Sequence, residues 1–473
     1  MENKRNKVLQ IINIIFLLGI IGISGYLSYV VSTYTKVYIA AILMLVVLLI
    51  SFGLYKLSKK HSAVSIIIEI VLLAILVLIG NTAHATDSIV NKTVAKPEYE
   101  TVCIVAMKDS GIESTDDLSS FRLGYINSED GAYAKCSEIL KENNKKVRKT
   151  VPKKYPKAVW KSFKEDKTQL MLLTDRMRAS LDEIEPNYEK KIKVLFKKDY
   201  ILKEAKAKQV NISKEPFVVY LQGSDASGAK NINSTGRGDA NFLVAVNPKT
   251  QKVNLQVIPR DTYVNIPSMG GHSKLSYSGS WGGIQSSIES IEEKFDIDIN
   301  YYAKINWQGI IDLVDALGGV EVYSQYEFYS SYPVNEPYHF VQGYNQMNGK
   351  KALAFVAERK SLPENELSRG KNQMALIKGI AMKFAENPNF DDAMVIMDKM
   401  SDSFVTNIPK KDYIKTFNVA VDLIPELKNL ELKSMKGEFR WKTDEVSGEY
   451  KYYFYPEKNE IKRVKDDIEN IKK

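Results

Sequence analysis

Histidine and cysteine are scarce in this chain, four and two among 473 residues. A zinc centre draws on clustered His and Cys side chains, and none are clustered here. A Ser-His-Asp triad has equally little material to use. The two cysteines, Cys103 and Cys136, stand in one segment where an oxidising exterior permits a disulfide. Cys103 also lies inside the strand-like run 101–107 and reads as a small buried hydrophobe.

Acids are nearly missing from the N-terminal stretch. Three apolar segments, 8–31, 37–55 and 63–80, contain only Glu69, which falls near the start of the third, where an acid is least costly. Each segment has roughly the length needed to cross a bilayer. A cleavable signal peptide offers one short apolar region and a small-residue cleavage site; two further spans following at once read instead as permanent anchors. Lys4, Arg5 and Lys7 precede the first segment, and Lys56, Lys59, Lys60 and His61 fill the second loop, while the loop 32–36 has a single positive charge. The positive-inside rule then sets the N-terminus in the cytoplasm. Three crossings put everything beyond about residue 81 on the outer face of the cell membrane.

At 44% hydrophobic and 26% charged, the chain has enough apolar material to pack domains beyond these segments, and its length predicts about two. Texture divides it into a three-helix transmembrane region (1–81), a small α/β accessory domain (98–212), an α/β layered domain (213–385) and a C-terminal extension packing on the latter (386–473). The formal charge of +9 suits an anionic partner, and Lys145, Lys146, Arg148, Lys149, Lys153, Lys154, Lys157 and Lys161 concentrate it. Membrane lipid or an anionic wall polymer would be attracted; a solvated lysine-rich surface is the plainer alternative. Nucleic acid is not expected outside a membrane.

In the accessory domain, strands at 101–107, 121–126 and 170–174 alternate with a helix start at Asp116-Asp117-Leu118 and helices at 131–144 and 177–184. After 213–216 the strands lengthen and become β-branched, at 217–222, 242–247 and 252–259, with Asn247-Pro248-Lys249-Thr250 as a hairpin turn. Helices follow at 284–295 and at 307–317, the latter closed by Gly318-Gly319, then an extended run at 320–322. The tyrosine-rich stretch 323–342, broken by Pro333 and Pro337, reads as a long loop over a site. Helices 350–360 and 368–384 are separated at 363–365. Segments 307–317 and 352–356 are apolar on more than one face, which means core or, alternatively, the wall of a lipid tunnel.

Chemistry-bearing residues gather at strand ends, where ligands collect in open α/β sheets. The strand 217–222 runs into Gly223-Ser224-Asp225, and Gly236-Arg237-Gly238 presents Asp239 from a loop. Two carboxylates at a rim can share one magnesium, which keeps waters and takes phosphate oxygens as further ligands. Arg260 and Asp261 close the strand 252–259 and emerge at the edge of Asp225 if the two strands are parallel neighbours. Arg369 and Gln373 are four apart on one helical face, near a helix N-terminus suited to anions. Guanidinium forks match phosphate oxygens, so the set suits a metal-bound pyrophosphate.

These motifs, Gly223-Ser224-Asp225, Arg237-Gly238-Asp239, Val257 through Thr262, Lys274-Leu275, Gly318-Gly319-Val320 and Ser368 through Gln373, strongly resemble the LytR-CpsA-Psr (LCP) family of bacterial cell-envelope proteins over 218–384. The three spans and the extra outer domain are similar to its capsule-associated branch. The resemblance implies an α/β catalytic domain with a central mixed sheet. It also implies a phosphotransferase that moves a capsular or related anionic exopolysaccharide from a polyprenyl-pyrophosphate carrier to peptidoglycan through a phosphodiester. Catalytic roles fall to Asp239, Arg260 and Asp261, and pyrophosphate binding to Arg237, Arg260, Lys274, Arg359, Arg369 and Gln373. Asp225 and Asp239 would hold Mg²⁺ or Mn²⁺. Implied partners are the lipid-linked polysaccharide, peptidoglycan, membrane lipid and capsule assembly or export proteins. Either Asp239 or Asp261 accepts the proton of the attacking hydroxyl. Two positions depart from the family pattern: Ala357 replaces an arginine, and Glu366 stands for an aspartate. A non-catalytic regulator that binds lipid-linked saccharide, and a plain pyrophosphatase, are the alternative readings.

Overall fold

The computed structural model describes residues 2–35, 37–126, 132–142, 145–147, 149–225, 232–332, 336–428 and 434–473. They form two compact units, 1–94 with 408–417, and 95–407 with 418–473. The apolar runs in the first unit become three helices, α1 (Glu2–Tyr34), α2 (Val37–Ser58) and α3 (Ser62–Thr93), each long and apolar enough to cross a membrane.

Large apolar side chains such as Ile15, Leu49 and Leu78 face outward from these helices. Glu69 is fully buried and accepts a hydrogen bond from Ser65 Oγ at 2.9 Å, so packing between helices shields it as well as its place in the span. The third helix continues past the expected end of the membrane region to Thr93. Its polar extension is tied to α1, where Tyr34 donates to Asp87 at 2.9 Å and Tyr26 bonds His84 at 2.8 Å.

The second unit begins with a five-stranded sheet of β1 (Tyr99–Met107), β2 (Arg122–Ile126), β3 (Lys149–Lys153), β4 (Leu170–Thr174) and β5 (Ile192–Ile201), in spatial order β3-β2-β4-β1-β5. Alternation along β1 sends Val102 and Ile104 to a core shared with Leu140 of α4 (Ala132–Glu142). Cys103 and Val105 go to the opposite core, against α5 (Pro156–Lys164) and α6 (Asp175–Ile184). Cys136 packs with the first set. The sheet therefore separates the two thiols, which are free, and burial pushes both upward in pKa.

A second, mixed sheet follows, built from β6 (Phe217–Ser224), β7 (Gly238–Asn247) and β8 (Lys252–Val257). The turn between β7 and β8 is the expected one, with Asn247 Oδ1 accepting from the Lys249 N–H at 3.0 Å. A hairpin, β9 (Tyr263–Ile266) and β10 (Gly271–Lys274), leads into α7 (Leu275–Phe295), and β11 (Tyr301–Asn306) then pairs parallel with β6. Next come α8 (Trp307–Ala316), β12 (Val320–Ser324), β13 (Phe328–Tyr329), β14 (His339–Phe340), β15 (Gly343–Met347), α9 (Gly349–Ala357) and α10 (Glu366–Phe384). The described part of the expected 323–342 loop thus includes a small hairpin, β13 with β14.

Beyond α11 (Phe390–Lys399), β16 (Phe404–Thr406) adds to the mixed sheet, giving the order β16-β11-β6-β7-β8. The stretch expected to be a C-terminal extension therefore supplies an edge strand. After α12 (Tyr413–Asp422) and α13 (Ile424–Lys428) come the hairpin of β17 (Gly437–Thr443) with β18 (Tyr450–Pro456), and α14 (Lys458–Lys472). Trp281 and Ile291 of α7 and Val464 and Ile468 of α14 share one core with Val218, Tyr220 and Leu243 of the sheet.

Glu98, just before β1, reaches into this second sheet. One carboxylate oxygen pairs with Lys304 of β11, and the other accepts from the Ile284 N–H at 2.5 Å. Lys304 also donates to the Ser234 carbonyl at 2.8 Å. The contact exists because α7 breaks at Gly282-Gly283: Gly283 has φ +71°, and a Cβ there would collide with the Glu98 carboxylate. Only glycine takes that conformation freely. Both partners are buried, Lys304 to 1% exposure. Glu98→Ala would strand a buried ammonium and cost about 3–5 kcal/mol, measured as an earlier unfolding midpoint of the full-length protein. The pair Glu98→Leu with Lys304→Met is expected to restore most of that loss. Wild-type unfolding by Glu98→Ala would overturn this account.

Candidate functional site

Strand directions assemble the site. β7 lies antiparallel between β6 and β8, with Ser224 opposite Gly238 and Phe242 opposite Val257. The end of β6, the start of β7 and the exit from β8 therefore meet at one sheet edge, carrying Asp225, Asp239 and Arg260-Asp261. β6 and β8 are not the neighbours the sequence proposed, and Asp239 sits on a strand rather than a loop. The extra strand places Asp239 between the other two positions.

Arg260 is the hub. Its guanidinium pairs with Asp239, and its Nε lies 3.8 Å from Asp261. Burial works against its charge, but Asp239, Asp261 and Glu366 outweigh that and raise its pKa. Asp261, 5% exposed, is ion-paired with Lys274 at 2.9 Å. Arg369 directs one terminal nitrogen at both oxygens of Glu366, each at 2.6 Å. Burial raises the Glu366 carboxyl despite this partner. Asp225 accepts from the Arg237 N–H at 2.6 Å. Burial, then the charge of Asp239, push its pKa up. The Arg237 guanidinium lies 5.2 Å over the Tyr277 ring.

Two donors in this network are left over. The Nε atoms of Arg260 and Arg369 are buried without a hydrogen-bond partner among the described residues. A buried unmet donor costs on the order of 1–3 kcal/mol. Arg359 is half-buried, and its guanidinium makes no ion pair among the described residues.

The cradle opens onto a cavity of about 580 Å³ between the sheet and α8, α9 and α10. Asp239, Arg260, Arg359, Arg369 and Gln373 line its polar end together with Lys360. Leu221, Phe242, Ile305, Ile310, Leu353 and Ile380 line the remainder. Helices 307–317 and 352–356 thus serve both sequence readings: Ile310, Leu313 and Leu353 face the cavity, while Val314, Ala352 and Phe355 are core. Among the described residues, Asp225, Arg237, Asp261 and Lys274 stand outside the cavity lining and act through the network instead.

Glu358 was not foreseen. It accepts hydrogen bonds from the Ser331 N–H and Oγ, the Arg359 N–H and the Ser361 N–H. Burial would raise its pKa, but these donors hold it below the ordinary carboxylate value. It fixes the backbone of Arg359 and ties Ser331 to the cavity rim. An acid beside a site arginine at a helix end was the available signal. Lys371 is drawn away to Glu364 at 2.6 Å and Tyr326 at 3.1 Å.

Three apolar N-terminal helices, a mixed α/β sheet and a basic cradle leading into an apolar cavity define a membrane-anchored α/β protein. Residues 187–470 match the LytR_cpsA_psr family. The chain belongs to that family. It is similar to the polyisoprenyl-teichoic acid–peptidoglycan teichoic acid transferase TagU of Bacillus cereus, 29% identical over 259 residues, covering 54% of this chain and 78% of that protein. TagU of Bacillus subtilis is 30% identical over 246 residues, with 52% and 75% covered. A crystal structure of a Streptococcus agalactiae protein shares the fold with a TM-score of 0.50 at 26% identity, covering 56% of this chain and 91% of that one.

Ala357 ends α9 and lines the cavity, so a longer side chain there would face the cradle. Ala357→Arg is expected to tighten inorganic pyrophosphate binding by roughly tenfold, read by isothermal titration. Unchanged affinity would mean that Arg359 and Lys360 already satisfy the anion.

Proposed function

We propose that the chain transfers a glycopolymer from a polyprenyl-pyrophosphate carrier to peptidoglycan, acting outside the membrane with its N-terminus in the cytoplasm. The observation that carries this is the convergence of Arg260, Arg359, Arg369 and Gln373 at one end of a largely apolar cavity. Pyrophosphate suits the guanidinium end and a polyprenyl chain suits the wall. The relatives named as teichoic acid transferases support an anionic glycopolymer as cargo. Three spans with an additional outer sheet favour a capsular polysaccharide within that class, and capsule assembly or export proteins as partners.

In the proposed reaction a peptidoglycan hydroxyl oxygen attacks the sugar-linked phosphorus. The new P–O bond forms as the bond to the bridging oxygen breaks, and polyprenyl phosphate departs with that electron pair. Arg260, Arg359 and Arg369 neutralise the developing charge, with Gln373 beside them. Asp239 and Glu358 are carboxylates in the cavity wall. The Glu358 oxygens are already engaged by four donors, so Asp239 is assigned as acceptor for the hydroxyl proton. Asp261, buried against Lys274, positions Arg260.

Asp225 and Asp239 suit a hard cation. The charge of Asp239 raises the cost of ionising Asp225, and among the described residues no third His, Cys, Asp or Glu completes a protein cage. Mg²⁺ or Mn²⁺ there would take its remaining ligands from water and phosphate, and would neutralise charge on the pyrophosphate. Protons compete for Asp225 because its pKa is raised, chiefly by burial. Mn²⁺ affinity is therefore expected to fall as pH drops through that raised value. Asp225→Asn should remove this dependence, measured by titration calorimetry; a pH-independent wild type would sink the assignment.

Ala357 favours a second reading, a regulator that binds lipid-linked saccharide without turnover. The deciding assay mixes full-length protein, Mg²⁺ and a polyprenyl-pyrophosphate glycan, with and without peptidoglycan fragments. Release of polyprenyl phosphate coupled to glycan attachment supports transfer; release without acceptor indicates hydrolysis, and binding alone indicates a regulator. Arg359→Ala, which strands no ion-pair partner, is expected to slow transfer about a hundredfold without moving the melting temperature. Full activity in that variant would refute its role.

A further inference from the structure

The hairpin of β17 and β18 carries a feature that the cradle and cavity do not use. Trp441 pairs across it with Tyr452, and Phe439 with Phe454. Side chains alternate between the faces of a strand, so Phe439, Trp441 and Thr443 share one face with Tyr450, Tyr452 and Phe454. The rings form a ladder: Phe439 stacks on Tyr452 at 5.0 Å and 15°, Tyr452 meets Trp441 at 5.2 Å, and Trp441 stacks on Tyr450 at 5.4 Å and 16°. Its outer half is open to solvent, with Trp441 58%, Tyr450 67% and Tyr452 41% exposed. Exposed aromatic clusters of this kind mark interaction sites.

We propose that this ladder is a docking strip for the neutral glycan strand of the peptidoglycan acceptor. Three observations select a sugar. A pyranose has flat C–H faces edged by hydroxyls, and the strip offers flat rings edged by polar atoms. The indole N–H of Trp441 and the hydroxyls of Tyr450 and Tyr452 have no hydrogen-bond partner among the described residues, so they remain available to sugar hydroxyls. The strip is also uncharged: the same alternation turns Glu438, Arg440, Lys442 and Lys451 to the reverse face. An anionic polymer would find its counter-charges there, not on the ladder.

Backbone and reverse-face contacts tie the hairpin to the cradle. The Phe454 N–H donates to the Asp261 carbonyl at 2.8 Å. Lys451 donates to the Tyr277 hydroxyl at 3.0 Å, and the Tyr277 ring lies beneath Arg237. A glycan on the strip is thereby held by the strand that abuts the proposed phosphate site. The identity of the glycan as acceptor rests on the transfer reading above; the existence of the strip does not.

The test is cosedimentation of full-length protein in detergent with peptidoglycan sacculi stripped of attached anionic polymer. Trp441→Ala with Tyr450→Ala is expected to weaken binding by roughly tenfold or more at an unchanged melting temperature. Trp441→Phe, which keeps a flat ring, should retain most of it. Arg359→Ala should bind sacculi like the wild type, which separates failure of the strip from failure of transfer. Undiminished sedimentation of the double variant overturns the proposal. So does a loss confined to purified anionic polymer, to anionic phospholipid vesicles, or to self-association of the chain.

Discussion

Arg260 is a largely buried cation, and it persists because carboxylates lie against it on two sides. That constraint organises the mixed sheet. β7 must run between β6 and β8 to bring Asp239 within reach, and Asp261 needs Lys274 as its own counter-ion. Arg369 repeats the arrangement with Glu366 one helix away. Buried ion pairs seldom improve on well-packed apolar residues as a source of stability. A fold that keeps several of them side by side at the end of a cavity therefore holds them for something other than stability.

The cavity divides the labour between its two ends. Its apolar wall comes from residues that also face the sheet and helix cores, so binding a hydrocarbon there requires no separate domain. Its polar rim is fastened by Glu358, whose four donors join the end of α9 to the Ser331 segment. Ala357 therefore sits in a stiff frame with the neighbouring charges already placed.

The strands of the second sheet and the turn at Asn247 were legible because β-branched alternation and turn chemistry are local signals. The relation among Asp225, Asp239 and Arg260 was only partly so: the motifs were visible, but the intervening position of β7 is a property of topology. β3 and α5 are hidden in a lysine-rich run that reads as an anion-attracting or a solvated surface, because Val159, Trp160 and Phe163 are diluted by exposed lysines. β16 spans only Phe404–Thr406, too short for any period to show. Glu98 gave no signal at all, since its partner Lys304 lies far along the chain and neither residue belongs to a motif.

The Glu98 contact redraws what counts as a self-sufficient piece of this protein. The family match begins at residue 187, yet the counter-ion for a lysine in the middle of that domain is contributed from residue 98. A fragment cut at the family boundary would carry a core charge with no mate. The first sheet follows Glu98 and closes with β5 (192–201), inside the family match, and exchanging it between relatives would succeed only when the Glu98 tether and the Gly282-Gly283 gap travel together.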